Sequence, residues 1–138
     1  MDKKVVNIED FYTEVNEREG VWHEPIIDNI PCGLEFLLIG IHCEEAVRKM
    51  AEIDDKTQLV RDSEASDEEK EVKLNELDAL RVAVLTKDIR SSDGAELMLN
   101  GKPFKFSEEN AMVLFNNCPV LKMDCVDFVL KSSNFIKR

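Results

Sequence analysis

Residues 66–89 read SDEEKEVKLNELDALRVAVLTKDI, and this stretch decides the fold class because it predicts one long helix. It opens on Ser66 and Glu69, an S-x-x-E pattern in which each side chain satisfies the other's free backbone N–H at a helix start. Apolar residues then recur at intervals of three or four: Leu74, Leu77, Leu80 and Val84. That spacing is typical of one buried helix face. The apolar residues become denser towards Ile89, so we expect the helix to be buried at its finish and to end near that residue.

Two further helices are predicted in the last third of the chain. Ser107 can cap a helix over residues 107–115, and Pro119 suits the first position of a helix over residues 119–131. The latter contains eight apolar residues: Val120, Leu121, Met123, Cys125, Val126, Phe128, Val129 and Leu130. A helix that buries only one face needs fewer apolar residues than these eight. We therefore expect this last helix to be deeply packed or to bind a partner.

In the part of the chain that precedes the long helix, the sequence predicts β-strands. Residues 20–26 and 34–40 read as two antiparallel strands joined by turn-forming residues, and Pro25 confines the first strand to a sheet edge or ends it. Trp22 and Phe36 lie in these strand-like runs, so we expect both in the core. A second, smaller hairpin is predicted around Asn100-Gly101, because that pair favours a type I′ turn.

The remaining segments are a short helix and two polar stretches. Residues 43–53 have apolar residues at helical spacing. Residues 54–66 are predicted to be a charged linker, either a mobile connection or an exposed crossing between helices. Residues 1–19 are expected to start a short helix or to lie loosely on the surface. The sequence thus predicts a single α+β domain over residues 1–138, mainly α-helical, with an N-terminal β-hairpin followed by about four helices.

The charge balance limits the partners that the protein can have. Eighteen Lys and Arg residues stand against 29 Asp and Glu residues, for a formal net charge of −11. Such a charge repels phosphate backbones and anionic membrane surfaces, so neither nucleic acid nor membrane is expected as a partner. The longest apolar stretch, residues 36–41, is far shorter than the roughly 20 residues of a membrane span. With no secretion signal in the opening residues, we expect a cytoplasmic protein.

The residues that usually carry chemistry show no catalytic or metal-binding pattern. His42-Cys43 and Cys32 lack the regular short spacing of zinc ligands. The four cysteines, Cys32, Cys43, Cys118 and Cys125, are expected to be free and mostly buried thiols. Adjacent acids such as Glu44-Glu45 are typical of helix starts, and no glycine-rich phosphate loop is present. We therefore predict a protein that is not an enzyme, with no catalytic residue, no cofactor and no metal.

The order of features in the second half carries a resemblance. A helix ending Arg81-Val82-Ala83-Val84-Leu85 is followed by Asp93-Gly94, Asn100-Gly101-Lys102-Pro103-Phe104, Ser107-Glu108-Glu109-Asn110-Ala111, a last helix and Ser133-Asn134-Phe135. This order resembles the tail assembly chaperones of long-tailed, siphovirus-type bacteriophages. In that family a turn around Asp-Gly precedes a Pro-Phe-Ser-x-Glu-Asn-Ala-like stretch, which Lys105-Phe106 interrupts here. The strand-forming start of the chain is also similar to that of the family.

The resemblance implies a function in virus assembly. Such a chaperone binds the tape measure protein, keeps it soluble and helps tail tube subunits assemble around it. Its subunits associate into rings or spirals in the host bacterial cytoplasm and are expected to be absent from the mature virion. Partner contacts are predicted at the over-apolar last helix and the tail after it: Met123, Phe128, Phe135 and Ile136.

Two other functions remain open. A head–tail connector or tail terminator would be another phage structural factor, and it would stay in the virion. An acidic DNA mimic that inhibits a nucleic-acid enzyme would space its carboxylates regularly over the fold. The acids of this chain instead concentrate in residues 54–71, which disfavours a mimic.

Overall fold

Helices dominate the computed structural model, which describes residues 4–136. Helix accounts for 53% and strand for 17% of the structure, which confirms the predicted mainly helical α+β class. The helices are α1 (Glu14–Glu19), α2 (Glu44–Asp62), α3 (Asp67–Ala83), α4 (Glu108–Asn117) and α5 (Pro119–Val129). The strands are β1 (Val21–His23), β2 (Ile26–Ile27), β3 (Ile30–Pro31), β4 (Leu34–Leu38), β5 (Thr86–Ser91), β6 (Met98–Leu99) and β7 (Lys102–Pro103). Two short 3₁₀ helices cover Ile8–Phe11 and Ser132–Phe135.

The predicted N-terminal hairpin is confirmed. β1 pairs antiparallel with β4, with Trp22 opposite Leu37, and β1 lies at an edge of the three-stranded sheet β1-β4-β5. Within the connection, β2 and β3 form a smaller ladder around Asp28 and Asn29, which both adopt positive φ. Short polar side chains tolerate that left-handed conformation better than other non-glycine residues. The residues that the sequence assigned to a turn therefore form one.

The third strand of the sheet was missed by the sequence prediction. The helix expected to reach Ile89 ends at Ala83, and residues 86–91 form β5 alongside β4, with Ile89 opposite Phe36. At the helix end, the Thr86 hydroxyl donates to the carbonyl of Val82 (2.9 Å). Thr86 and Ile89 point inwards, whereas Lys87 and Asp88 are exposed. The open edge of β4 needs backbone partners, and this requirement outweighs the helical spacing.

The predicted linker over residues 54–66 is also wrong for most of its length. α2 continues to Asp62, so only residues 63–66 connect it to α3. Contacts with α3 hold the charged part of α2 in place: the Arg81 guanidinium lies 2.7 Å from the Asp54 carboxylate and donates to the Thr57 hydroxyl (3.2 Å). Ser66 accepts a hydrogen bond from the Glu69 backbone amide (3.2 Å), which confirms Ser66 as the helix cap; the reciprocal bond from the Ser66 amide to the Glu69 carboxylate is absent from the described residues.

Part of the first 19 residues is packed rather than loose. Glu17 of α1 is buried, and its carboxylate accepts a hydrogen bond from the Thr13 hydroxyl (2.9 Å). The Gly40 amide donates to the Glu17 carbonyl (2.8 Å). A Cβ at position 40 would stand 2.3 Å from the Glu17 side chain, so only glycine allows this approach. Residues 1–3 lie outside the described residues.

One hydrophobic core joins the sheet to the helices. Its largest fully buried side chains include Phe36, Phe115 and Phe135, and the Phe36 and Phe115 rings lie 5.5 Å apart. Phe36 therefore lies where the sequence predicted. Trp22 does not: it is only half-buried, and the Arg90 guanidinium covers its ring at 3.7 Å from the ring centroid. A cation over the indole face shields it from water without burying it in the core.

The predicted second hairpin is confirmed. β6 pairs antiparallel with β7, and both Asn100 and Gly101 have positive φ, as a type I′ turn requires. The Ser107 hydroxyl then caps α4 by accepting a hydrogen bond from the backbone amide of Asn110 (3.0 Å). The hairpin thus leads directly into the helix that carries Phe115 into the core.

Candidate partner-binding surface

The last helix, α5, buries one apolar face and leaves further apolar residues exposed on its other side, up to its C-cap Leu130. Leu121, Cys125 and Val129 follow one another at intervals of four and are buried. On the other side, Val120, Met123 and Leu130 each expose between 54% and 60% of their surface. We call these three residues the outer face of α5. A large apolar residue exposed at one position is ordinary, but three along one helix form a candidate binding surface.

The four residues predicted as partner contacts differ in how far the structure exposes them. Met123 lies on the outer face of α5, while Phe128 and Ile136 are half-buried. Phe135 has no exposed surface, so its prediction as a partner contact is wrong for the folded chain. It packs edge-on against the Phe128 ring, with centroids 5.7 Å apart. The tail after α5 therefore closes the core rather than presenting an aromatic anchor.

Polar contacts hold α5 and the tail against the sheet. His23 Nε2 lies 2.5 Å from the Asp124 carboxylate, and the His23 ring stacks on Phe128 with centroids 4.2 Å apart. The Asn16 amide donates to the Phe135 carbonyl (3.0 Å), which joins α1 to the tail. These contacts lie on the inner side of the helix. The outer face of α5 is consequently presented by a fixed element, which favours binding without a large ordering cost.

A second exposed apolar region escaped the sequence analysis. Residues 4–12, which we call the apolar arm, are all exposed. Five large apolar side chains in the arm expose between 61% and 82% of their surface: Val5, Val6, Ile8, Phe11 and Tyr12. The sequence could have indicated this region by the number of large apolar residues in so short a segment, which is higher than a solvent-exposed segment needs. The mixed charges of residues 1–19 instead favoured a short helix or a loose surface segment.

A small apolar pocket lies beside the second hairpin. We call it the hairpin pocket; it has a volume of about 60 Å³ and is lined by seven apolar residues, among them Ile89, Leu97, Phe104 and Leu114. Met98, which is 57% exposed, also lines it and so stands at its mouth. Because the lining is entirely apolar, the pocket suits the end of an aliphatic side chain rather than a polar ligand.

A wider cleft of about 1050 Å³ separates residues 11–18 from residues 42–48. Its lining mixes both signs of charge, with Glu14, Glu44 and Glu45 facing Arg18 and Arg48. His42 and Cys43 are also part of the lining, whereas Cys32 is not. The three residues considered at first for a metal cluster are therefore not brought together.

Burial governs the state of the thiols within residues 4–136. All four cysteines are free; Cys125 is buried, and the other three are half-buried. Burial raises the pKa of the Cys125 thiol far above its ordinary value, and desolvation also raises the pKa of Cys32. Neither thiol is thus a ready thiolate. No group of three or more His, Cys, Asp or Glu residues in the described part of the chain could hold a metal ion.

Comparison of the chain with known proteins gives no match. Neither protein-family models, nor curated proteins, nor solved structures give a significant match to the chain. Among the residues described, no helix has both the length and the apolar character needed to cross a membrane. The function is therefore inferred from the surfaces above and from the resemblance in the order of sequence features.

Proposed function

We propose that the chain is a tail assembly chaperone of a long-tailed bacteriophage. In this role it binds the tape measure protein, keeps it soluble and promotes assembly of tail tube subunits around it. The proposal depends above all on the outer face of α5, where Val120, Met123 and Leu130 stay exposed on a strongly acidic chain. The resemblance of the second half to that family supplies the identity of the client.

The outer face of α5 has the size and chemistry to hold an amphipathic helix. Val120 and Leu130 are ten positions apart, so the face extends about 15 Å along the helix axis at 1.5 Å per residue. The exposed Asp127 lies between Met123 and Leu130 on the same side, so a partner helix packs apolar residues at both ends of the face and a polar or basic residue between them. The net charge of −11 keeps a complex with an aggregation-prone client in solution.

The first test co-expresses the chain with the tape measure protein of the same phage. We expect the native chain to raise the soluble fraction of the tape measure protein severalfold. Val120→Asp with Met123→Asp places two charges on the outer face and is expected to abolish this gain, because an unpaired charge in an apolar contact is costly. Leu59→Asp is the matched control, since Leu59 is 71% exposed on α2, and it should act as the native chain does.

The second test separates a chaperone from a structural component. A chaperone leaves before the particle is complete, whereas a head–tail connector or tail terminator remains. We expect mass spectrometry of purified virions to detect the tail tube protein and the tape measure protein but not this chain. Its recovery in stoichiometric amounts would replace the proposal with the structural alternative, and a native chain without effect on client solubility would refute it.

A further inference from the structure

The exposed side of α5 has the spacing of a heptad repeat. Four exposed positions of the helix and its C-cap are separated by three, four and three residues: Val120, Met123, Asp127 and Leu130. At 3.6 residues per turn, they fall within an arc of about 80°. Leu130 keeps helical backbone angles (φ −77°, ψ −12°), so it continues the line of the other three. We call these four residues the α5 seam.

The spacing of the seam indicates the kind of partner that fits it. Alternating steps of three and four are those along which two helices stay in contact over several turns. The buried residues of α5 lie on the opposite side of the helix and fix it to the core. The α5 seam is therefore presented as a rigid ridge, and it fits a second helix lying alongside α5.

Asp127 determines which helices can pack there. It is exposed, forms no ion pair within residues 4–136, and lies between the apolar Met123 and Leu130. A helix packed on the seam would remove water from its carboxylate, which is costly unless a group of opposite charge replaces that water. A Lys or Arg of the partner supplies both the charge and the hydrogen bonds. The net charge of −11 also attracts a basic partner.

A second copy of the same helix does not supply this group. In a parallel pair of seams, Asp127 would face the Asp127 of the other copy, and in an antiparallel pair it would face Met123. Neither arrangement places a cation opposite the carboxylate. Two chains that each carry a net charge of −11 also repel one another. The occupant that fits the seam is therefore a helix of another protein.

We propose that the α5 seam binds one helix of a partner protein in a single register, which Asp127 sets by pairing with a Lys or Arg of that helix. The partner helix has apolar residues at three positions of the same heptad spacing and the basic residue at the fourth. A polar pair within an apolar seam lowers affinity but fixes the register. The inference rests on the proposed function, and it deepens that function by specifying the client segment.

The deciding experiment uses synthetic helical peptides of about 20 residues as probes. Each has four seam positions with Leu, except that one position carries Lys or Glu. The second and third positions face Asp127 in the antiparallel and the parallel orientation, respectively. Fluorescence anisotropy of labelled peptides measures binding to the native chain. We expect Lys at one of these two positions to give binding about tenfold tighter than Lys at the first or fourth position, or than Glu at the same position.

Variants of Asp127 test whether this residue causes the preference. Asp127→Lys is expected to reverse it, so that the Glu peptide binds about tenfold more tightly than the Lys peptide. Asp127→Leu should bind an all-Leu peptide most tightly and lose the dependence on the position of Lys, because no charge then marks the register.

Glu52→Lys is the matched control, since it changes the net charge equally and Glu52 is exposed on α2 without an ion pair within residues 4–136. It should keep the native preference. Circular dichroism checks that every variant is folded.

Three results would overturn the inference. They are the absence of binding to every peptide, equal binding of all peptides, and a preference that Glu52→Lys reverses as Asp127→Lys does. Light scattering after size exclusion supplies a fourth test with the chain alone. A native oligomer whose mass falls in Asp127→Lys but not in Glu52→Lys would assign the seam to a second copy instead.

Client solubility separates this inference from the proposed function. We expect Asp127→Lys to remove most of the gain in soluble tape measure protein and Glu52→Lys to retain it. A native chain that keeps the client soluble while the peptides bind equally would leave the proposed function standing without the seam. A native chain that prefers the Lys peptide but leaves the client insoluble would keep the seam and refute the proposed function.

Discussion

Two apolar residues near the end of the chain show that burial cannot be predicted from sequence position alone. Met123 lies in the apolar last helix and Phe135 in the short tail after it, and both were predicted to contact a partner. The structure exposes the former and buries the latter completely. The difference is tertiary: the Asn16 amide of α1 fixes the Phe135 carbonyl and draws the last 3₁₀ helix onto the core. By contrast, Ser66 and Ser107 act through backbone amides three residues away, so local sequence sufficed to predict both caps.

Truncating these two side chains should therefore have very different consequences. We expect Phe135→Ala to lower the free energy of unfolding by about 3–4 kcal/mol, because it leaves a cavity in the core. Met123→Ala, on the exposed face, should change it by less than about 0.5 kcal/mol. Urea denaturation followed by circular dichroism measures both. Losses of similar size would show that the tail is not part of the core.

Among the secondary-structure elements, the errors fall where a partner element decides the conformation. Residues 84–89 continue a helical spacing, but residues 86–91 form a strand because they pair with the open edge of β4. Residues 54–62 are highly charged, and α3 beside them keeps them helical through Arg81. The hairpins and the last helix were predictable because turn residues, Pro119 and apolar density act locally. In the same way, the outer face of α5 followed from an excess of apolar residues.

An ion network ties α2 to its neighbours. The Glu45 carboxylate lies 2.5 Å from the Lys87 ammonium of β5 and 3.3 Å from that of Lys49, which also pairs with Glu108 at the start of α4. The hydrogen bond from Lys87, followed by that from Lys49, holds the pKa of Glu45 below its usual value. The pairing with Glu108 is the main cause that raises the pKa of Lys49.

The network predicts a pH-dependent contribution to stability. The folded pKa of Glu45 lies below the unfolded one, so its contribution is present above the unfolded pKa and is lost as the pH falls through the folded pKa. We expect Glu45→Gln to lower the free energy of unfolding by about 0.5–1 kcal/mol at pH 7, and the difference to shrink progressively as the pH falls below about 4. Glu44→Gln is the control, since Glu44 has no ion pair within residues 4–136. Denaturation at several pH values measures both, and an equal effect of the two substitutions would contradict the assignment.

At the scale of the whole molecule, stability is unevenly distributed. The buried residues of α2 are Ala46 and Ile53, and those of α3 are Ala79, Val82 and Ala83. Both sets lie at the end of the helix pair that meets the sheet and α4. The far end, residues 56–74, is held only by a row of half-buried residues between the two helices. It carries many of the acidic residues. Sequence composition predicted that these residues are exposed, but not that residues 56–62 are helical.

This gradient should be visible in hydrogen exchange. We expect amides in residues 56–74 to exchange much faster than those in residues 78–83, because the far end can open without disturbing the core. Mass spectrometry of peptic fragments after exchange measures the difference. Equal protection along both helices would show that the pair unfolds only with the whole domain.

The position of β5 in the sheet also governs the order in which the protein can form during synthesis. β1 and β4 are close in sequence and can pair as soon as both have left the ribosome. β5 pairs with β4 only after α2 and α3 have been made, because both helices lie between the two strands. Closing so long a loop is slow unless the helices first shorten it. A nascent chain that stops before Thr86 therefore leaves β4 with an open edge, the state in which it is most prone to pair with another chain.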